Sequence, residues 1–186
     1  MNSNLWIGII PVLVFVVLES FTNKKMALLS ALALAVAELI FTIVVYKTID
    51  EITILGFFLI GVAVFLSLKT ENDIYFKLQP AILGWILALV FFFFYYVLNR
   101  FLLNEMFHKY MGDSFQNILE QTTDPEFLEN YLKLLSKYMG WLFFIHGTLT
   151  GYAAFKLNKW WWFIIRVPGL YILMIVFSIL AMRGVL

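Results

Sequence analysis

Apolar residues arrive in long blocks separated by short polar breaks, over about 5–21, 27–46, 52–68, 80–103, 139–157 and 160–182. Each block approaches the roughly 20 residues an α-helix needs to cross about 30 Å of hydrocarbon. Backbone amides in lipid need partners within their own segment, and no block alternates as a membrane barrel strand does, so each is predicted to be a helix. The fold class is therefore all-α: one polytopic domain over 1–186 with six transmembrane helices and both termini on one side. The first block lacks a basic leader and a small-x-small pattern before Lys24, and more spans follow it, so it reads as retained rather than as a secretory signal. Pro80 opens the fourth block, where a missing N–H costs little. Trp160, Trp161 and Trp162 read as an interfacial belt at the start of the sixth.

Between the fourth and fifth blocks lies an amphipathic insert, 104–138. Asp124 is placed to cap a helix that begins at Pro125, with Glu126 near the positive end of its dipole. Phe127, Leu128, Tyr131, Leu132, Leu135 and Tyr138 then share one face, and Glu129, Lys133 and Lys137 another. Two short helices in the membrane interface, or a hairpin packed on the bundle's own end, satisfy that pattern equally.

Composition narrows the function classes. Hydrophobic residues are 63% of the chain and charged residues 13%, about half the fraction of a soluble domain. A net charge of +1 offers no basic field for nucleic acid. Without cysteine there is no disulfide, thiolate nucleophile or sulfur metal site, and no cofactor is implied. Lys47, Arg100, Lys109, Lys133, Lys137 and Arg183 fall on the side of the termini, and Lys24, Lys25, Lys69, Lys77, Lys156 and Lys159 on the other, so charge does not choose an orientation.

Glu38, His146 and Arg166 lie deep within spans, where a lipid-facing charge is costly. Glu38 is eight residues before Tyr46 and His146 seven after Met139, depths of roughly 10–12 Å from one side. Ala31, Ala35, Glu38 and Thr42 share a face of the second span, and His146 and Thr150 a face of the fifth, so the two faces are able to form a small polar core. The alternative is a neutral Glu38 bonded locally and a separate neutral His146. Arg166 is in reach of headgroups, of Glu19, or of carbonyls loosened by Pro168. Gly147 and Gly151 form a Gly-x-x-x-Gly, and Ala27, Ala31 and Ala35 a small-residue stripe, both suited to helix contact within a bundle or between copies.

No nucleophile with a base, no three-ligand metal set and no carboxylate dyad is visible, so an enzyme is not expected. The rival to a structural role is a small secondary transporter, proton-coupled through Glu38 and His146. Six helices divide into two halves of three, and Pro11 and Pro80 stand near the start of each half.

Particular segments carry a family likeness. They are Ile10 to Phe15 in the first block, Tyr46 to Glu51, the loop Glu71-Asn72-Asp73-Ile74-Tyr75-Phe76-Lys77-Leu78-Gln79-Pro80, and Trp141, Phe143, Phe144, Gly147, Tyr152 and Ala154 in the fifth block. With these, the chain resembles the bacterial intracellular septation protein A family over nearly its whole length; Glu71, Asp73, Phe76, Lys77 and Pro80 are the most particular match. The resemblance implies a multi-pass protein of the bacterial inner membrane with both termini cytoplasmic. It also implies a role in septation and envelope integrity through division or cell-wall synthesis membrane proteins, with no catalytic residues to carry over. Its partners are then the lipid bilayer and such proteins; a second copy of the chain is an option left open by the Gly147/Gly151 and alanine surfaces.

Overall fold

The computed structural model describes residues 17–18, 21–47, 51–111 and 124–185. The first apolar block lies largely outside them, as does the middle of the insert. Helices make up the fold, with no strand among the described residues. Helix α1, Lys24–Tyr46, opens on Asn23, whose side chain accepts a hydrogen bond from the Met26 N–H at 2.8 Å. It closes on Lys47 in the left-handed region (φ 54°), whose N–H reaches the Ile43 carbonyl. Helix α2 is Glu51–Thr70, and α3, Ile74–Phe92, continues as a π-helical turn over Phe93–Val97. Then come α4, Leu102–Met111; α5, Pro125–Lys156; α6, Lys159–Arg166; and α7, Pro168–Arg183.

Three helical stretches among the described residues are long and apolar enough to cross a membrane: Lys24–Val44, Ile74–Val97 and Lys159–Arg183. Ile54–Thr70 is apolar but shorter. Ile40, Phe58 and Ile175 turn more than half of their surface outward (55%, 64% and 62%). A folded soluble protein does not present continuous apolar faces to water, so these faces belong in lipid.

The helix boundaries depart from the hydropathy blocks at three places. First, α3 begins at Ile74, leaving Pro80 inside the helix rather than opening it. Its first N–H groups find acceptors in the preceding segment, so the helix starts before the apolar residues do. Second, the later half of the insert and the fifth block form one 32-residue helix with no break at Met139; at 1.5 Å per residue it is roughly 48 Å long. The Asp124 carboxylate accepts from the Phe127 N–H at 2.9 Å as the capping pattern requires, and no proline follows Pro125 before Lys156. A fall in hydropathy does not end a helix. Third, the last block is two helices meeting at Val167, because Pro168 supplies no N–H and disfavours helical geometry in the residue before it.

The chain divides into two units, one of residues 1–83 with 148–168 and the other of 84–147 with 169–186. The first is built on Ala27, Leu28, Ala31, Val64, Phe76, Ala153, Ala154 and Trp162. Small residues on α1 let neighbouring helices approach closely, and Trp162 is the largest fully buried side chain there. In the second, Phe91 packs on Phe143 and Phe92 edge-on to Trp141, with ring centroids 5.7 and 5.2 Å apart. Tyr131 Oη and Ser178 Oγ share a hydrogen bond of 2.7 Å, and the Leu103 N–H donates to Ser136 Oγ. There too α3 meets α5 at glycine: a Cβ on Gly84 would lie 3.1 Å from the Phe143 carbonyl oxygen and 3.2 Å from Gly147 Cα.

Candidate functional site

In the first unit, polar side chains gather where α1, α3 and α6 begin. Helix α2 ends by a Schellman arrangement: Glu71 takes the left-handed conformation (φ 55°) and the Asn72 N–H reaches back to the Ser67 carbonyl at 3.1 Å. That reversal places Ser67 and Asn72 against the start of α3. Asn72 Oδ1 accepts from the Ile74 N–H at 3.0 Å and Ser67 Oγ from the Phe76 N–H at 3.1 Å. With these donors satisfied, the Asp73 carboxylate is released from capping. It pairs instead with Lys77 one turn on, and with Lys24 of α1 at 3.2 Å.

Asp73 is 7% exposed. Burial by itself raises its pKa, but hydrogen bonds and charge from Lys77 and then Lys24 outweigh that, holding the carboxyl below its ordinary 3.8. It therefore stands ionised at neutral pH and joins α1 to α3 by charge.

Helix α6 joins the same cluster. Asn158 caps it by accepting from the Trp160 and Trp161 N–H groups, both at 3.1 Å. Trp160 and Trp161 face outward as the belt reading requires, but Trp162 is fully buried. Its Nε1 donates to the Lys77 carbonyl at 3.0 Å, so it belongs to the core and not to the belt. Arg166, one turn further, lies over the Trp162 ring at 5.2 Å and donates to Oε1 of buried Gln79 at 3.4 Å. The partner considered from the sequence, Glu19, lies outside the described residues; Gln79 and the Trp162 ring meet the guanidinium here.

Between the start of α1 and the end of α2 opens a cavity of about 580 Å³, lined by Asn23, Lys24, Lys25, Leu28, Ser67, Leu68, Glu71 and Asp73. Lys24, Lys25, Glu71 and Asp73 bring charges of both signs to its lining, and Leu28 and Leu68 are its apolar residues. The most particular sequence segment thus lies at one wall: Glu71 and Asp73 line the cavity, Phe76 is core, Lys77 holds Asp73, and Pro80 follows Gln79. Lys24, Ser67 and Gln79 do not stand out in the sequence as site residues. Only the adjacency of Gln79 to the Pro80 motif pointed to any of them.

Glu38 lies on α1 with its side chain outside the described residues, so a Glu38 to His146 contact is not described; Thr42 is half-buried on the same helix. His146 and Thr150 are buried on α5, Gly147 lies against Gly84, and Gly151 is buried. Ala31 is core and Ala35 is buried. Among the described residues no group of three His, Asp or Glu is able to hold a metal.

The profile of the family described as intracellular septation protein A matches residues 4–185. No curated protein and no solved structure matches the chain.

Proposed function

The chain belongs to the intracellular septation protein A family, and from that premise we propose that it is a non-catalytic membrane organiser of septation. It sits in the bacterial inner membrane as a six-span protein with both termini in the cytoplasm. It acts by binding division or cell-wall synthesis membrane proteins, as a single chain or with a second copy. The family match over nearly the whole chain carries the reading. Physical support comes from the exposed apolar helices, which give a lipid-embedded surface. Support also comes from the polar cluster, whose ion pairs and hydrogen bonds tie helix ends together as a rigid scaffold requires.

The test is capture of the tagged full chain from native membranes, scored for division and cell-wall synthesis proteins against an unrelated multi-pass protein of similar abundance. Selective enrichment supports the role. Repeated absence of enrichment, together with substrate flux in liposomes that Glu38→Gln abolishes, would replace it with transport.

A further inference from the structure

The cavity beside Asp73 lies at a defined membrane level. Lys24 begins one membrane-length stretch, Ile74 another and Lys159 the third. The Lys24 to Asp73 ion pair and the Trp162 to Lys77 hydrogen bond draw the three starting points together. Helix ends that open apolar spans lie where hydrocarbon gives way to headgroups. The cavity among them is therefore at headgroup depth, with two leucines in its lining.

Its lining carries two ammonium groups, Lys24 and Lys25, and two carboxylates, Glu71 and Asp73. Asp73 already engages Lys24 and Lys77. Among the described residues, Lys25 and Glu71 form no ion pair and stand exposed, leaving one positive and one negative group at the mouth. A purely anionic ligand would meet two carboxylates, and a cation two ammonium groups. The complement to this wall carries both charges on one polar end, with an apolar part to meet Leu28 and Leu68. A volume of about 580 Å³ admits such an end group, since small-molecule sites run from about 300 to 1,000 Å³.

We propose that this cavity binds a bilayer phospholipid whose headgroup joins a phosphate to a primary ammonium, with Lys25 on the phosphate and Glu71 on the ammonium. Lys25 supplies N–H donors to phosphate oxygens, and Glu71 accepts from the ammonium. The left-handed turn at Glu71 fixes where that carboxylate leaves the backbone. The site is independent of the proposed partners in division, so loss of either leaves the other standing.

Native mass spectrometry of the delipidated full chain in detergent, after addition of single lipids, reads the proposal. Phosphatidylethanolamine is expected to give a retained adduct in preference to phosphatidylglycerol, which has the phosphate without the ammonium. Lys25→Ala with Glu71→Ala should lower that retention roughly tenfold or more and erase the preference, while the melting curve by circular dichroism keeps its midpoint. Both side chains are exposed and outside the core, so the double variant is expected to fold. Equal retention of the two lipids by the unaltered chain would overturn the proposal, as would a double variant that folds and still prefers phosphatidylethanolamine. Complete displacement by free phosphoethanolamine would overturn the lipid assignment in favour of a soluble zwitterion.

Discussion

Lys24 Nζ lies 3.2 Å from Asp73 Oδ1, so the first residue of α1 is joined by charge to the residue that precedes α3. The two partners differ in what they lose to solvent. The Lys24 side chain keeps 58% of its surface exposed, while Asp73 keeps 9%. Removing the carboxylate takes the Asp73 charge away from Lys77, itself only 16% exposed. Asp73→Asn is therefore expected to cost about 2 kcal/mol of stability, against less than about 1 kcal/mol for Lys24→Ala, whose pair is screened. Thermal melts of both variants in one detergent check the order; equal losses would refute it.

The same carboxyl sets a pH dependence. Its folded pKa lies below the unfolded value of 3.8. Between the two values the unfolded chain binds the proton and the folded chain does not, so stability rises with pH there. The contribution is complete above the unfolded value and fades as pH falls through the folded one. On acidification from about pH 5 to about pH 3, the melting temperature of the unaltered chain should fall more steeply than that of Asp73→Asn. Parallel slopes would show that Asp73 is not a principal source of the acid sensitivity.

Gly84 permits the closest backbone approach described in the second unit. A methyl group there would press on the Phe143 carbonyl and Gly147 Cα, both backbone and unable to rotate aside. Gly84→Ala should cost about 1–3 kcal/mol. Gly61→Ala meets nothing within 4 Å, and it should leave stability equal or raise it by up to about 1 kcal/mol through helix propensity. Melting of the two variants side by side separates close packing from a general intolerance of alanine.

Arg166 is held by Gln79 and by the Trp162 ring, whereas Arg183 closes α7 at an exposed position. Arg166→Leu should lower stability by about 2 kcal/mol and Arg183→Leu by less than about 0.5 kcal/mol. Trp162→Phe keeps a ring beneath the guanidinium but loses the donor to the Lys77 carbonyl, a loss of about 1 kcal/mol. Denaturation midpoints of the three variants check the order, and equal midpoints for the two arginine variants would remove Arg166 from the structural keys.

Helical class, membrane-length apolar helices and the Asp124 cap were legible in the chain, because each depends on residues close together in sequence. Twenty apolar residues need lipid whatever surrounds them, and a carboxylate three residues before an N–H caps it locally. The likeness of the Glu71 to Pro80 segment to one family was legible for the same reason, and the match over residues 4–185 shows that family.

Helix ends and pairings across helices were decided only in three dimensions. Pro80 sits inside α3 because Ser67, from the helix before, accepts one of its first N–H groups. Trp162 left the interfacial belt because the Lys77 carbonyl, 85 residues away, accepts its indole hydrogen. Arg166 met Gln79 through a contact 87 residues apart in sequence. Hydropathy reports how a residue partitions between water and lipid. It carries no information about which distant acceptor will satisfy a buried donor, and in a low-dielectric interior that partner decides where the side chain goes.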